Sequence, residues 1–368
     1  IGHNMRELRR ITDSRARMIA VVKADGYGHG AVHVAQTALA NGADMLAVAR
    51  IDEGIDLRKA GLEAPILVFN PTFADFAEGL IEYDLIQSVT GLAVAEELDA
   101  AARRWGQVLR IHLKVDSGMG RLGLLPDGRR VRESMSAVAE VDAIAALKGV
   151  RLEGTYTHFA AADERDKGYA HQQLDIFLNL LQALQKAGVD CGMRHAANSA
   201  AIIDLPQSHL DAVRPGISLY GLYPSQEVDR DRIDLKPALS LKSRLLQVKA
   251  VPAGVNISYG MTWTAPQPTV IGTVAAGYAD GIQRRLSNQG AMLVNGRRAP
   301  IVGRVCMDMI MLDLGVDSQA AAGDEVVIIG RQGEEVVTAD EIAGLLGTIN
   351  YEILFTTVSY THLRAHET

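Results

Sequence analysis

Cysteine is almost missing from this chain of 368 residues: Cys191 and Cys306 are the only two. Two thiols so far apart make neither a disulfide framework nor a zinc-ligand spacing, so a reducing cytoplasm is the expected setting and no metal site is expected. Long apolar runs are missing too. No stretch approaches the roughly 20 residues that a membrane-spanning helix needs. Positive charge is in deficit, with 37 Lys and Arg against 44 Asp and Glu and a net charge of −7. No arginine-rich run offsets that deficit, so neither nucleic acid nor membrane is an expected partner. What is present is ordinary for a soluble globular protein, 48% hydrophobic and 22% charged residues. The length suits one large domain and a smaller one.

The first two-thirds alternates strand-like and helix-like segments. Apolar runs stand at 18–22 (MIAVV), 45–49 (MLAVA), 65–69 (PILVF), 84–89 (DLIQSV), 109–115 (LRIHLKV), 152–158 (LEGTYTH), 192–197 (GMRHAA) and 212–221 (AVRPGISLYG). Helical patterns lie between them. In YAHQQLDIFLNLLQALQKAG a stripe of Leu174, Phe177, Leu178, Leu181 and Leu184 predicts one buried face, with Gly188 as the stop. Strands alternating with helices imply a parallel sheet. About eight such pairs in the space available predict a (β/α)8 TIM barrel over residues 1–230.

After about Leu235 short strands and glycine turns take over, among them Asn295-Gly296 and Gln332-Gly333. No long helix interrupts them before TADEIAGLLG. A mainly-β domain is expected over 231–368, and no Pro- or Ser-rich linker marks the join. The last residues, from about Thr356 to Thr368 (TTVSYTHLRAHET), lose the preceding pattern and are assigned no function.

In a barrel the C-terminal strand ends share one mouth, where chemistry collects. Lys23 follows the first predicted strand, Arg121 the fifth, His158 ends the sixth, Asn198 and Ser199 follow the seventh, and Arg214 and Gly216 stand at the eighth. A lysine at the end of a buried strand is costly without a partner or a use. Ser and Gly after strands seven and eight are where such barrels hold a phosphate. An amine facing a phosphate pocket points to pyridoxal phosphate held as a Schiff base, or to a Schiff-base aldolase.

Nine motifs then narrow the choice. VVKADGYGHG, LKVDSGMGRLG, THFAAAD, HAANSAA, VRPGISLYG, ISYGMTW, GYADG, GRVCMD and INYE run in the order found in alanine racemases, from about Arg6 to Ile353. The chain therefore resembles that family. The resemblance implies a cytoplasmic homodimer using pyridoxal 5'-phosphate to interconvert L- and D-alanine, supplying D-alanine for peptidoglycan. It implies that Lys23 is the Schiff-base lysine and one base, and that Tyr259, given by the partner subunit, is the other. A phenol with a pKa of about 10 needs its anion stabilised to act as a base. Arg214 would face the pyridine nitrogen, with His195 hydrogen-bonded to it. Tyr27, Ser199, Gly216, Ile217 and Tyr351 would hold the phosphate, and His158 and Asn198 would lie against the cofactor. Arg121 would meet the substrate carboxylate, braced by Lys114 at a position often carbamylated. Met307, Asp308 and Tyr278 would line the entrance and the carboxylate site. Cys306 is expected to be a buried apolar filler.

The family also carries a strand ahead of ELRRI and a basic, proline-containing run after INYE, and neither pattern is seen here. Competing readings are a broad-specificity or serine racemase, a barrel-type decarboxylase and a non-catalytic cofactor carrier.

Overall fold

The structure, a computed structural model, describes residues 1–127 and 135–356. The tail beyond Thr356, to which the sequence assigns no function, lies outside them. The chain divides into two compact units, Ile1–Pro237 and Ala238–Thr368.

The first unit is a closed barrel of eight parallel strands in sequence order. They are β1 (Arg17–Val21), β2 (Met45–Val48), β3 (Ile66–Val68), β4 (Ile86–Val89), β5 (Leu109–Lys114), β6 (Val150–Tyr156), β7 (Met193–His195) and β8 (Ala212–Val213). β1 closes the ring on β8 through the pairs Arg17–Ala212 and Met18–Val213. The apolar runs are continuous because both faces of a barrel strand are covered, one by helices and one by the interior. β2, β3 and β4 are buried at every position. The interior is unusually polar toward β4–β8: Gln87, Ser88, His112, Lys114, Thr155, Thr157, His195 and Arg214 are all buried.

Two expectations are corrected here. The eighth apolar run, predicted over 212–221, keeps only two strand residues. Pro215 has no N–H to give to a ladder, and the chain turns at Gly216 into a 3-10 helix, Ile217–Tyr220. In the helix Gly168–Lys186, Leu174, Phe177, Leu181 and Leu184 are buried, but Leu178 is 37% exposed and Leu180 takes its place in the core. A covered face wider than the predicted stripe brings in Leu180, and Leu178 falls on its wet edge. Gly188, with φ of 76°, ends this helix.

Among the described residues the second unit has nine strands: β9 (Leu241–Val251), β10 (Asn256–Ile257), β11 (Trp263–Thr264), β12 (Thr269–Val274), β13 (Ala291–Val294), β14 (Arg297–Pro300), β15 (Ile310–Asp313), β16 (Glu325–Gln332) and β17 (Glu335–Val337). One sheet runs β14-β13-β16-β9-β12-β15, with β17 paired to β16. β10 and β11 form a separate two-stranded ribbon. Asn295 and Gly296, both at positive φ, make the tight turn between β13 and β14. The helix Ala339–Leu346 opens on Thr338, whose hydroxyl accepts the Glu341 N–H, and stops at Gly347 in the left-handed region. Among the described residues no helix is long and apolar enough to cross a membrane.

Candidate active site

Lys23 lies two residues beyond β1 on an unusual piece of backbone. Ala24, Asp25, Gly26 and Tyr27 all have φ between 50° and 61° and ψ between 36° and 52°, a left-handed helical turn. Such backbone costs roughly 1–2 kcal/mol for each non-glycine residue. The surroundings hold it. The Gly26 N–H donates to Val22 O at 2.9 Å, Gly30 N–H to Asp25 O at 2.9 Å, and Ala31 N–H to Asp25 Oδ1 at 2.8 Å. Glu53, in the first turn of the helix Ile51–Lys59, ties the turn to the next strand–helix pair. One of its oxygens accepts the Ala24 N–H at 2.6 Å, and the other accepts the N–H groups of Ala49 and Arg50.

The same turn delivers Tyr27 into the unit, 5% exposed and stacked on Tyr220 at 4.6 Å between ring centroids. A Cβ on Gly216 would lie 2.8 Å from Tyr27 Oη, so only the bare glycine leaves that space open. Ser199 Oγ accepts the N–H groups of Gly216 at 2.9 Å and Ser218 at 3.3 Å. Asn198 caps the helix Ser199–Asp204 by accepting the Ala201 N–H at 3.0 Å. Ile217 begins the neighbouring 3-10 helix. The buried Ser218 hydroxyl has no protein partner among the described residues. Hydroxyls, bare glycine and two helix starts are a cradle for an anion.

Arg214, one residue past β8, is 3% exposed. Its Nη1 donates to His195 Nδ1 at 2.8 Å, and its Nη2 donates to Thr157 O at 2.7 Å and Ala196 O at 2.9 Å. Nη2 also lies 3.4 Å from His158 Nδ1. Burial lowers its pKa to about 10, which still leaves the guanidinium charged at neutral pH. Tyr156 lies beneath it, the ring centroid 5.2 Å from Cζ, and stacks almost parallel on His195.

These cations press on one another. Burial, then Arg121, lowers the Lys23 pKa, while Glu53 opposes the shift. Burial, then Arg121 and Arg214, brings Lys114 down to about 8. Burial and the same two arginines hold His158 well below the usual histidine range. The structure thus brings Lys23, Lys114, Arg121, His158 and Arg214 within each other's fields at one mouth. The loop carrying Arg121 is tied by Asp116, which accepts the N–H groups of Gly118, Gly120 and Arg121.

In the second unit Tyr259, Tyr278, Met307 and Asp308 stand on interlocked backbone. Tyr278 N–H donates to Cys306 O at 3.0 Å, and Ala279 N–H to Met307 O at 2.9 Å. A Cβ on Gly277 would lie 2.2 Å from Met307 O. Ser258 Oγ donates to Arg304 O at 2.7 Å, fixing the turn that presents Tyr259. Tyr259 is 73% exposed and Met307 58%. Cys306 is half-buried rather than a core filler, with Sγ 3.5 Å from Ser258 Oγ. Its backbone takes part in the interlock with Tyr278, and that keeps it near the surface. Tyr351 lies on the helix Asn350–Thr356.

Three residues of the first unit escaped the sequence reading: Glu53, His112 and Tyr156. Tyr156 stands two residues before His158 in LEGTYTH, and strand alternation alone places it inward. His112 stands two residues before Lys114 in LRIHLKV and the same alternation places it inward, whereas Glu53 gave no comparable signal.

The family model for the alanine racemase N-terminal domain matches residues 1–224, and that for the C-terminal domain matches 238–364. The chain belongs to the alanine racemase family. The alanine racemase of Desulfosudis oleivorans is 51% identical over 356 residues, covering 96% of this chain and 91% of that protein. The structure of the Clostridium difficile 630 alanine racemase superposes with a TM-score of 0.89 at 40% identity, covering 96% of this chain and 90% of that one. The Bacillus anthracis alanine racemase with bound L-Ala-P superposes at 0.87, also 40% identical, covering 97% and 90%. Alanine racemases are isomerases that interconvert L- and D-alanine with pyridoxal phosphate, and the match over both domains leaves no support for a decarboxylase or a carrier. The residues fit that cofactor: Lys23 and Tyr27 share one turn, and Tyr27 meets Ser199 and Gly216 in an anion cradle at the same barrel mouth.

Proposed function

We propose that this chain racemises alanine with Lys23 and Tyr259 as the two bases, in a cytoplasmic homodimer that supplies D-alanine for peptidoglycan. When bound, pyridoxal phosphate supplies an electron-withdrawing ring that acidifies the substrate's α C–H. Lys23 Nζ takes or returns that proton on one face, and Tyr259 Oη of the partner subunit does so on the other. Burial and the nearby Arg121 favour the neutral Lys23 amine, the form a base requires.

Arg214 would hold the ring nitrogen as a donor that does not surrender its proton. Such a donor would leave the ring a weaker electron sink than an acid would, which would favour return of the proton over transamination. Tyr27, Ser199, Gly216 and Ile217 hold the phosphate, and the resemblance adds Tyr351. His158 and Asn198 line the cofactor. Arg121 receives the substrate carboxylate, with Met307, Asp308 and Tyr278 at the entrance. Exposed Tyr259, Met307 and Tyr278 suit a surface completed by a second copy.

The observation that carries this reading is that one short left-handed turn bears both the amine and Tyr27, whose hydroxyl abuts Gly216. Incubating the protein with L-alanine and pyridoxal phosphate, then separating the enantiomers, tests it. D-alanine should accumulate to equal amounts. Serine should turn over more slowly by at least about tenfold, since pocket size alone discriminates only modestly. Absence of D-alanine would overturn the proposal.

Lys114 completes it. An amine with a pKa near 8 is substantially neutral just above that pH and can add to carbon dioxide. The carbamate, by resemblance, holds Arg121. Its formation should increase as pH rises through about 8, because only the neutral amine reacts. Native mass spectrometry of carbon-dioxide-depleted and bicarbonate-treated protein checks this, and an unchanged mass at Lys114 would remove the idea.

A further inference from the structure

His112 belongs to no part of the proposed mechanism, yet it touches that mechanism from behind. It sits on β5, fully buried, with Nδ1 3.0 Å from His195 Nε2. His195 is itself fully buried and presents Nδ1 to Arg214 Nη1 at 2.8 Å. The chain Arg214–His195–His112 runs from the mouth of the barrel toward its opposite end. There the His112 ring borders a cavity of about 1100 Å³ formed at the N-terminal strand ends, with Arg17, Met45 and Ile86 among its walls.

The protons in this chain can be assigned by elimination. A guanidinium only donates. His195 Nδ1 must therefore be a lone pair, and a neutral His195 carries its hydrogen on Nε2. That hydrogen faces His112 Nδ1, which must accept it. A neutral His112 then carries its own hydrogen on Nε2. Burial favours the neutral form of both rings, and Arg214 adds to the effect. His112 Nε2 is buried with no protein partner among the described residues.

The packing is specific to this arrangement. Gly154 of β6 pairs with His112, and a Cβ there would lie 2.7 Å from the ring's Cε1 and 2.8 Å from both ring nitrogens. Tyr156, two residues on, stacks on His195 with ring centroids 4.8 Å apart and an interplanar angle of 7°. One strand thus makes room for the first ring and sets the plane of the second.

We propose that His112 is a positioning residue for the racemisation: its Nδ1 lone pair holds His195 as the Nε2–H tautomer, which keeps His195 Nδ1 as the acceptor that aims Arg214. The inference rests on the role given to Arg214 above. Its consequence is that a perturbation at the far end of the barrel reaches the reaction through two imidazoles. Leucine at 112 removes the acceptor at similar volume. Asparagine restores it, because Oδ1 sits close to where Nδ1 does.

The test combines ¹⁵N NMR of the histidine-labelled protein with steady-state kinetics. In the wild-type protein without substrate, both His195 and His112 should show a protonated Nε2 and an unprotonated Nδ1. His112→Leu should lower kcat in both directions by about 10- to 10²-fold, the scale of a small misplacement, with KM nearly unchanged. His112→Asn should recover to within about threefold of wild type. A spectrum with hydrogen on Nδ1 of either ring, or with either ring doubly protonated at neutral pH, would overturn the assignment even if no variant folds. A wild-type kcat in His112→Leu would overturn the positioning role. Failure of the Arg214 or Lys23 roles would show as unimpaired racemisation in variants at those residues and would leave the NMR result unaffected.

Discussion

Replacing Lys23 with alanine lowers racemisation by at least ~10³-fold in both directions, because the variant loses a base that acts in the reaction whichever enantiomer enters. The loss should appear mainly in kcat, since Arg121 and the phosphate cradle remain. A second readout is chemical. Borohydride treatment of the wild-type holoenzyme should leave the cofactor's mass on the peptide containing Lys23, and the variant should give no labelled peptide. Labelling at Lys114 in the wild type would transfer the role to the other buried amine of the same mouth, and residual activity near wild type would remove Lys23 from the chemistry. The variant is expected to fold, because Lys23 makes no hydrogen bond that the strained turn depends on: Ala24 N–H, Asp25 and Tyr27 carry those.

Tyr259→Phe should divide the two directions of the reaction. Exchange of the α-proton from L-alanine should slow by ~10²- to 10⁴-fold, while exchange from D-alanine slows far less, since Lys23 still serves that face. Equal losses from both enantiomers would contradict the assignment of one base to each face. The hydroxyl is the only atom removed, and the side chain is 73% exposed in its own subunit, so stability should change little. Mixing inactive Lys23→Ala and Tyr259→Ala proteins extends the test. If each site draws Tyr259 from the partner subunit, random mixing makes half the dimers mixed with one sound site each, or roughly a quarter of wild-type activity. No recovery after subunit exchange would mean that the tyrosine serves its own chain.

Much of the barrel was legible because covered parallel strands leave an unmistakable signal: Met18 to Val22 and Met45 to Val48 are apolar without a break. The eighth strand misled because AVRPGISLYG is apolar enough for ten residues of sheet, whereas Pro215 and the turn at Gly216 permit two. Strand ends also told which side chains crowd one mouth, and Lys23, Arg121, His158 and Arg214 could be grouped on that basis. What supports them was not legible. Glu53 reads as an ordinary acidic residue in the first turn of a helix, and nothing local says that its carboxylate steadies the backbone beside Lys23. His112 reads as one polar residue in LRIHLKV. Its partner is 83 positions away, and only the closed ring of strands sets the two imidazoles side by side.

The left-handed turn after β1 means that the Lys23 amine, the base proposed above, is mounted on a wound spring. Residues 24–27 are held by bonds within the turn and by Glu53, which belongs to the next strand–helix pair. A folding chain that has completed only its first such pair therefore owns the lysine without owning its aim. That tie arrives only when the helix Ile51–Lys59 docks, so the setting of the lysine depends on the neighbouring strand–helix pair as well as on its own.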